Sequence, residues 1–177
     1  MKERLAALGQ AIKLPDVRKR ITFVMIMFAI YMGCAHVPLP GVDKEVLEQL
    51  FQGGGIMGFI NTFVGGSLKR FSVLALGIMP YINASIIFQL LVMAIPQLEE
   101  LQKEGEYGQK KINRWTRYLT VLLAVVHGLG MVGMFRGMGA FTGTSVQMVF
   151  VVMMMTAGTS FLMWLGDMIT DKGIGQG

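Results

Sequence analysis

The sequence predicts an all-α integral membrane protein, and three observations carry that prediction. Of 177 residues, 53% are hydrophobic and only 15% are charged, with a mean hydropathy of +0.55. The charges cluster, leaving four nearly charge-free runs at 21–42, 71–98, 118–135 and 137–166, each able to hold one spanning helix. The lysines and arginines sit at the ends of those runs, so a pI near 9.5 reflects membrane topology rather than nucleic-acid binding.

Residues 1–20 form a basic N-terminal segment ending in Arg18, Lys19 and Arg20. No small-x-small site follows the next apolar run, so it reads as a retained first span over 21–40 and not as a cleaved signal. Cys34 lacks the leucine and small residue of an acylation site before its Gly33, and one cysteine excludes an internal disulfide.

Residues 41–71 form a loop that contains the apolar run Ile56–Val64 between Gly53, Gly54, Gly55 and Gly65, Gly66. A helix of that length reaches about half way across a core of ~30 Å. With four spans and this run not crossing, twelve basic residues lie on the N-terminal side and four opposite. If residues 49–68 crossed, the split would fall to nine and seven. Charge bias therefore favours a run that enters from outside and stays external or re-entrant, where irregular backbone must be buried in protein or line a wet cavity.

The second span, 72–96, sits in twenty-eight residues without a charge and carries Pro80, Asn83 and Gln89. At 100° per residue Ile78, Ile82, Ser85 and Gln89 share a face. The two isoleucines are stiff at χ1 and suit a constriction of fixed width, although ordinary apolar packing is the commoner explanation for such residues. Pro80 removes a backbone donor, so a kink is expected within the span. Asn83, Gln89 and His127 are polar groups at hydrocarbon depth, fitted either to interhelical hydrogen bonding or to a pathway. A short glycine-flanked segment beside such a span suggests a gated conduit.

Residues 97–117 mix Glu99, Glu100, Glu104 and Glu106 with a basic second half and read as a solvated turn on the N-terminal side. The third span covers 118–135, a loop 136–144, the fourth span 145–166, and 167–177 returns to the N-terminal side. Gly133, Gly137, Gly139 and Gly143 fall where turn chemistry is expected, and the methionines of the last span read as gap fillers or as an adaptable surface. No metal-ligand spacing, phosphate-binding loop, paired carboxylates or activated nucleophile appears, so neither a metal, a cofactor nor an enzymatic activity is expected.

Four motifs resemble one family. Ser72-Val-Leu-Ala-Leu-Gly-Ile-Met-Pro-Tyr-Ile-Asn-Ala-Ser-Ile-Ile-Phe-Gln-Leu-Leu91 is similar to the second-span signature of SecY, the bacterial protein-translocation channel. Val37-Pro-Leu-Pro-Gly-Val42 resembles the stretch after that family's first span, 103–118 its first large cytosolic loop, and 156–177 the end of its fourth span. The resemblance implies the N-terminal part of a ten-span, two-halved translocon bundle with a re-entrant plug helix, a partial chain ending before a fifth span.

It further implies roles residue by residue. Ile78 and Ile82 would belong to the pore ring. Ile56, Met57, Phe59, Ile60, Asn61, Phe63 and Val64, within about 55–70, would form the plug. Asn83, Ile87, Leu91 and His127 would line one side of the lateral gate, although the family more often carries Ser and Gln at positions 83 and 127. The implied partners are SecE- and SecG-like subunits, a SecA motor or the ribosome on the cytosolic side, signal sequences and unfolded preproteins, the lipid bilayer, and the remaining SecY half. The implied location is the bacterial plasma membrane with a cytosolic N-terminus. Half of a secondary small-solute transporter and a purely structural membrane subunit are the alternatives.

Overall fold

A computed structural model of the chain describes residues 15–52, 58, 59, 62, 66 and 68–173. The described residues form six helices and no strands: α1 (Pro15–Ala35), α2 (Lys44–Gln52), α3 (Met79–Ala94), α4 (Pro96–Lys103), α5 (Glu106–Gly137) and α6 (Ser145–Lys172). The two longest, α5 with 32 residues and α6 with 28, are long and apolar enough to cross a membrane. A third crossing is reached if α3 and α4, bent by 102° at their junction, are taken as one broken span. α1 has 21 residues, but its opening turns carry Arg18, Lys19 and Arg20.

The expected second span is the main departure. Residues 71–78 are a chain of turns, and helix begins only at Met79, with Pro80 in its first turn. There the missing proline N–H costs nothing, because the first amides of a helix have no intrahelical partner. Pro80 therefore starts α3 instead of kinking a longer helix. At the other end Ile95 is extended (φ −113°, ψ 111°), the conformation a following proline imposes, and Pro96 opens α4.

The non-helical 71–78 segment is satisfied from several sides. Leu39 N–H donates to the Phe71 carbonyl at 2.9 Å and Val73 N–H to the Val37 carbonyl at 3.1 Å, forming an isolated bridge between Pro38 and Ser72. Leu74 N–H donates to Ser72 Oγ at 3.2 Å. Thr159 Oγ1 on α6 donates to the Gly77 carbonyl at 3.3 Å. Phe71, Ser72, Leu74, Ala75 and Leu76 are all buried. Irregular backbone survives in an apolar setting when protein surrounds it and fills its hydrogen bonds.

Residues 97–117 are largely exposed, but they are helical rather than a simple turn. They fold as α4, a tight turn through Gly105 at φ +74°, and the first turns of α5. The 32 residues of α5 make a rod of ~48 Å, longer than a bilayer core, so its basic start stands clear of the apolar part. Gly108 permits the α4–α5 crossing, since a Cβ there would clash with the Leu101 carbonyl.

The buried residues of α5 recur every four positions: Gly108, Ile112, Thr116, Thr120, Ala124, Gly128 and Val132. A four-residue repeat on a 3.6-residue helix winds around the rod, and the partner changes accordingly, from Leu101 at Gly108 to Val152 of α6 at Gly128. Thr116 and Thr120 hide their hydroxyls by donating to the Ile112 and Thr116 carbonyls at 3.0 and 2.8 Å. α6 starts on a capping box between Thr144 and Gln147. Its buried positions include Val151, Met155, Gly158, Leu162 and Leu165, a spacing suited to a helix seam.

The larger core lies at the loop-rich end, where Leu39, Leu47, Leu68, Phe71, Phe135, Phe141, Val151 and Met155 meet. Phe71 and Phe135 pack edge to face, with centroids 5.4 Å apart. Asp43 N–H donates to the Ala140 carbonyl and Thr142 N–H to the Gly41 carbonyl, tying the two loops together. At the opposite, basic end Arg20 Nη1 donates to the Gly173 carbonyl at 3.1 Å.

Candidate functional site: the mouth of α3

Two exposed isoleucines stand where the buried turns give way to α3. Ile78 is 51% and Ile82 38% exposed. They lie one turn apart, since Ile82 N–H donates to the Ile78 carbonyl at 3.0 Å. Further along this face Gln89 Nε2 donates to Ser85 Oγ at 3.4 Å. The face predicted from periodicity therefore exists, apolar where α3 begins and polar further on. Exposed large apolar side chains cover much of the rest of α3, including Ile86, Leu90 and Met93.

Ile78 also forms part of a cavity of about 570 Å³ shared by α3, α5 and α6. Tyr81 lies beside it; Asn113 and Arg117 come from α5, Leu162 and Asp167 from α6. Arg117 Nη2 lies 2.7 Å from Asp167 Oδ2 and bridges the two long helices. Both side chains are about half exposed, so the pair contributes ~0–1 kcal/mol, and its role is chiefly to fix the spacing. In the sequence Arg117 is simply the last cation of the basic half of 97–117. The available signal was Asp167, the first carboxylate after a long charge-free stretch, on the side already assigned to Arg117.

Asn83 and His127 are brought together. His127 Nδ1 lies 2.7 Å from the Leu123 carbonyl; that oxygen can only accept, so Nδ1 carries the proton. Nε2 is then an acceptor in the neutral ring, and Asn83 Nδ2 donates to it across α3 and α5 at 3.4 Å. The two half-buried groups satisfy each other, as the interhelical alternative requires. A small cavity of about 210 Å³ adjoins them, walled by Leu68, Leu76, Met79, Pro80 and Met131. Ile87 and Leu91 follow Asn83 at successive turns of α3; Ile87 is exposed and Leu91 half-buried.

Of the expected plug residues, Ile56, Met57, Ile60, Asn61, Phe63 and Val64 lie outside the described residues. Phe59 is described and exposed. It neighbours a helical hydrogen bond in which Thr62 Oγ1 donates to the Gly58 carbonyl at 3.1 Å. Gly66 follows at φ +78°, a conformation that favours glycine.

Gly158 and Thr159 went unnoticed in the sequence, yet they dock α6 against the turns that carry Ile78. A Cβ on Gly158 would strike the Val73 carbonyl oxygen and lie 3.0 Å from its carbon and Cγ1. Among the described residues no group of histidines, cysteines and carboxylates could hold a metal ion.

Comparison with known proteins gives a consistent family. The SecY family matches residues 72–177. The protein translocase subunit SecY of Streptomyces coelicolor is 46% identical over 188 residues, covering 98% of this chain and 43% of that protein. The Aquifex aeolicus subunit of the same name is 42% identical over 187 residues, covering all of this chain and again 43% of the relative. The chain thus spans less than half the length of these curated relatives. Among solved structures, Sec61 in the canine ribosome–channel complex from the endoplasmic reticulum superposes with a TM-score of 0.61 at 18% identity, over 93% of this chain and 35% of that one. That likeness concerns the fold.

Proposed function

The chain belongs to the SecY family, and from that membership we propose that it forms the N-terminal part of a protein-conducting channel, passing unfolded polypeptides across the membrane and releasing apolar segments sideways into it. The observation that carries this is the presentation of Ile78 and Ile82. A buried run of turns, hydrogen-bonded to the 37–39 loop and to α6, holds two stiff apolar side chains outward at the head of a short helix. Such side chains offer a passing chain no hydrogen bonds, so they select no sequence, and a narrow ring of them closes to water and ions by dewetting.

In this proposal residues 55–70 stopper the ring from the outside, with Gly66 as the hinge. Asn83, Ile87, Leu91 and His127 form one wall of the lateral gate, with the Asn83–His127 hydrogen bond setting how tightly α3 holds α5. The opposite wall and the rest of the ring come from the remaining half of the channel. The domain limits are those of the sequence analysis, with 1–20, 97–117 and 167–177 cytosolic and the host a bacterial plasma membrane. SecE- and SecG-like subunits support the bundle. Energy comes from a SecA-like motor or a translating ribosome, and the chain itself catalyses nothing.

Ile82→Gly tests the ring in the full-length channel with its partner subunits. Ion leakage through resting vesicles should rise several-fold; unchanged conductance would remove Ile82 from the constriction.

A further inference from the structure

A cavity of about 300 Å³ lies where α3, α4 and α5 meet, and no charged side chain lines it. Its neighbourhood makes that selective, because 97–117 is crowded with glutamates, lysines and arginines. The polar groups that reach the cavity are neutral instead: the carboxamides of Gln89 from α3, Gln102 from α4, and Gln109 and Asn113 from α5, together with the Ser85 hydroxyl. Phe88, Val92 and Ile112 supply the apolar wall behind them, and Val92 and Ile112 are buried.

These amides are only partly used. Gln109 Nε2 donates to Asn113 Oδ1 at 3.2 Å, and Gln89 Nε2 donates to Ser85 Oγ at 3.4 Å. The two internal bonds leave Gln89 Oε1 and Gln109 Oε1 as acceptors, Asn113 Nδ2 as a donor, and the whole Gln102 amide without a side-chain partner among the described residues. Asn113 also lines the cavity of about 570 Å³ that contains Ile78, so the two cavities meet at this residue. A phosphate or carboxylate ligand would call for cations, and a cationic ligand for carboxylates; the lining has neither. A carboxamide instead copies the peptide group, one C=O acceptor beside N–H donors and no charge. An extended polypeptide carries the complement at every residue, because no helix or sheet pairs its backbone. Water fills that need until apolar walls displace it, and an unpaired peptide group is then costly.

We propose that Gln89, Gln102, Gln109 and Asn113 form a main-chain holding site, which takes the backbone N–H and C=O groups of an extended polypeptide just before it meets Ile78 and Ile82. This rests on reading the chain as part of a polypeptide conduit. Neutral amides grip the backbone and ignore the charge of the side chains, so the site suits cargo of any sequence. The isoleucines offer no hydrogen bonds, and the amides supply them immediately before that point.

The test uses the full-length channel with its partner subunits in proteoliposomes. The probe is a synthetic polypeptide stalled in passage by a folded domain at its C-terminus, with an alanine stretch at the entry. A second version carries lactic acid at alternate alanines of that stretch, which exchanges backbone N–H for ester oxygen and keeps the side chain. A photoreactive side chain at Met93, an exposed residue on the cavity rim, captures whatever occupies the site. Capture of the ester version should fall about fivefold, as loss of one hydrogen bond implies. Gln102→Met with Gln109→Met keeps side-chain length, removes the amides and should lower capture of the all-amide version by a similar factor, after which the esters should make little further difference. Gln97→Met, on an exposed glutamine outside the cavity, should change nothing. Equal capture of the two versions, or an ester effect that survives in the double variant, overturns the holding site. A photoreactive side chain at Ile82 tests the conduit separately. Capture at Ile82 with no ester effect at Met93 rejects the holding site and keeps the conduit; an ester effect at Met93 with no capture at Ile82 keeps the site and rejects the conduit.

Discussion

Gly158→Ala should damage this fold out of proportion to one methyl group. The new Cβ would enter the Val73 carbonyl oxygen and sit 3.0 Å from two further Val73 atoms. Neither side can yield cheaply, since Gly158 is buried mid-helix in α6 and Val73 belongs to the hydrogen-bonded turns. Overpacking costs ~1–3 kcal/mol, and displacement endangers the Thr159–Gly77 hydrogen bond, already 3.3 Å long and contributing ~1 kcal/mol. Alanine returns ~1 kcal/mol of helix propensity. The net loss is ~1–3 kcal/mol, and its midpoint corresponds to about thirtyfold in the folding equilibrium. Gly133→Ala is the control, because nothing lies within 4 Å of a Cβ there. Thermal unfolding of the two full-length variants in detergent, with reagent accessibility of a cysteine at Ile78 as a local probe, makes the comparison. If Gly158→Ala is as stable as Gly133→Ala and leaves accessibility at position 78 unaltered, α6 does not brace the turns.

Two further outcomes follow from the interhelical polar contacts. Asn83→Leu should cost ~0.6–2 kcal/mol by leaving His127 Nε2 without its donor, and the loss should shrink when His127→Leu is added; a double-mutant cycle with no coupling would dissolve the pair. Arg117→Gln should lower stability by under ~1 kcal/mol, an effect that fades as salt rises; a large, salt-independent loss in the melting profile would mean that the bridge to Asp167 is shielded from water.

How much was legible depended on whether a signal was local. The apolar runs behind α5 and α6 were plain, because length and hydropathy suffice to mark a spanning helix. Pro80 was noticed but misplaced. A proline inside an apolar run fits a kink or a helix start, and the choice turned on distant partners for the 71–78 backbone: Val37, Leu39 and Thr159. Residues 99–117 looked like a turn by charge, yet helix formation needed only one break, which Gly105 provides. Asn83 and His127 were each singled out, but 44 positions separate them and periodicity cannot pair such residues. Gly158 was illegible for a plainer reason: a glycine needed for close approach looks like any other glycine until its neighbour is known.

If Ile78 and Ile82 form the proposed constriction, the irregular backbone at 71–78 gives it a firm base. Had 72–95 been one straight helix, Ile78 would sit mid-rod, and widening the ring would require moving the whole span. The helix instead begins at Met79, so Ile78 belongs to a junction whose two sides answer to different partners. The turns are held by α6 and the 37–39 loop, whereas α3 packs chiefly on α5 and is joined to it by the Asn83–His127 bond. Ile82 N–H donates to the Ile78 carbonyl, so in the proposed channel a swing of α3 on α5 would carry both isoleucines and be taken up in the turns before Ile78. In the proposed channel the energy at stake would be that of a few interhelical contacts, ~1–2 kcal/mol each, within reach of the apolar burial a signal segment would offer at ~0.8 kcal/mol per CH₂.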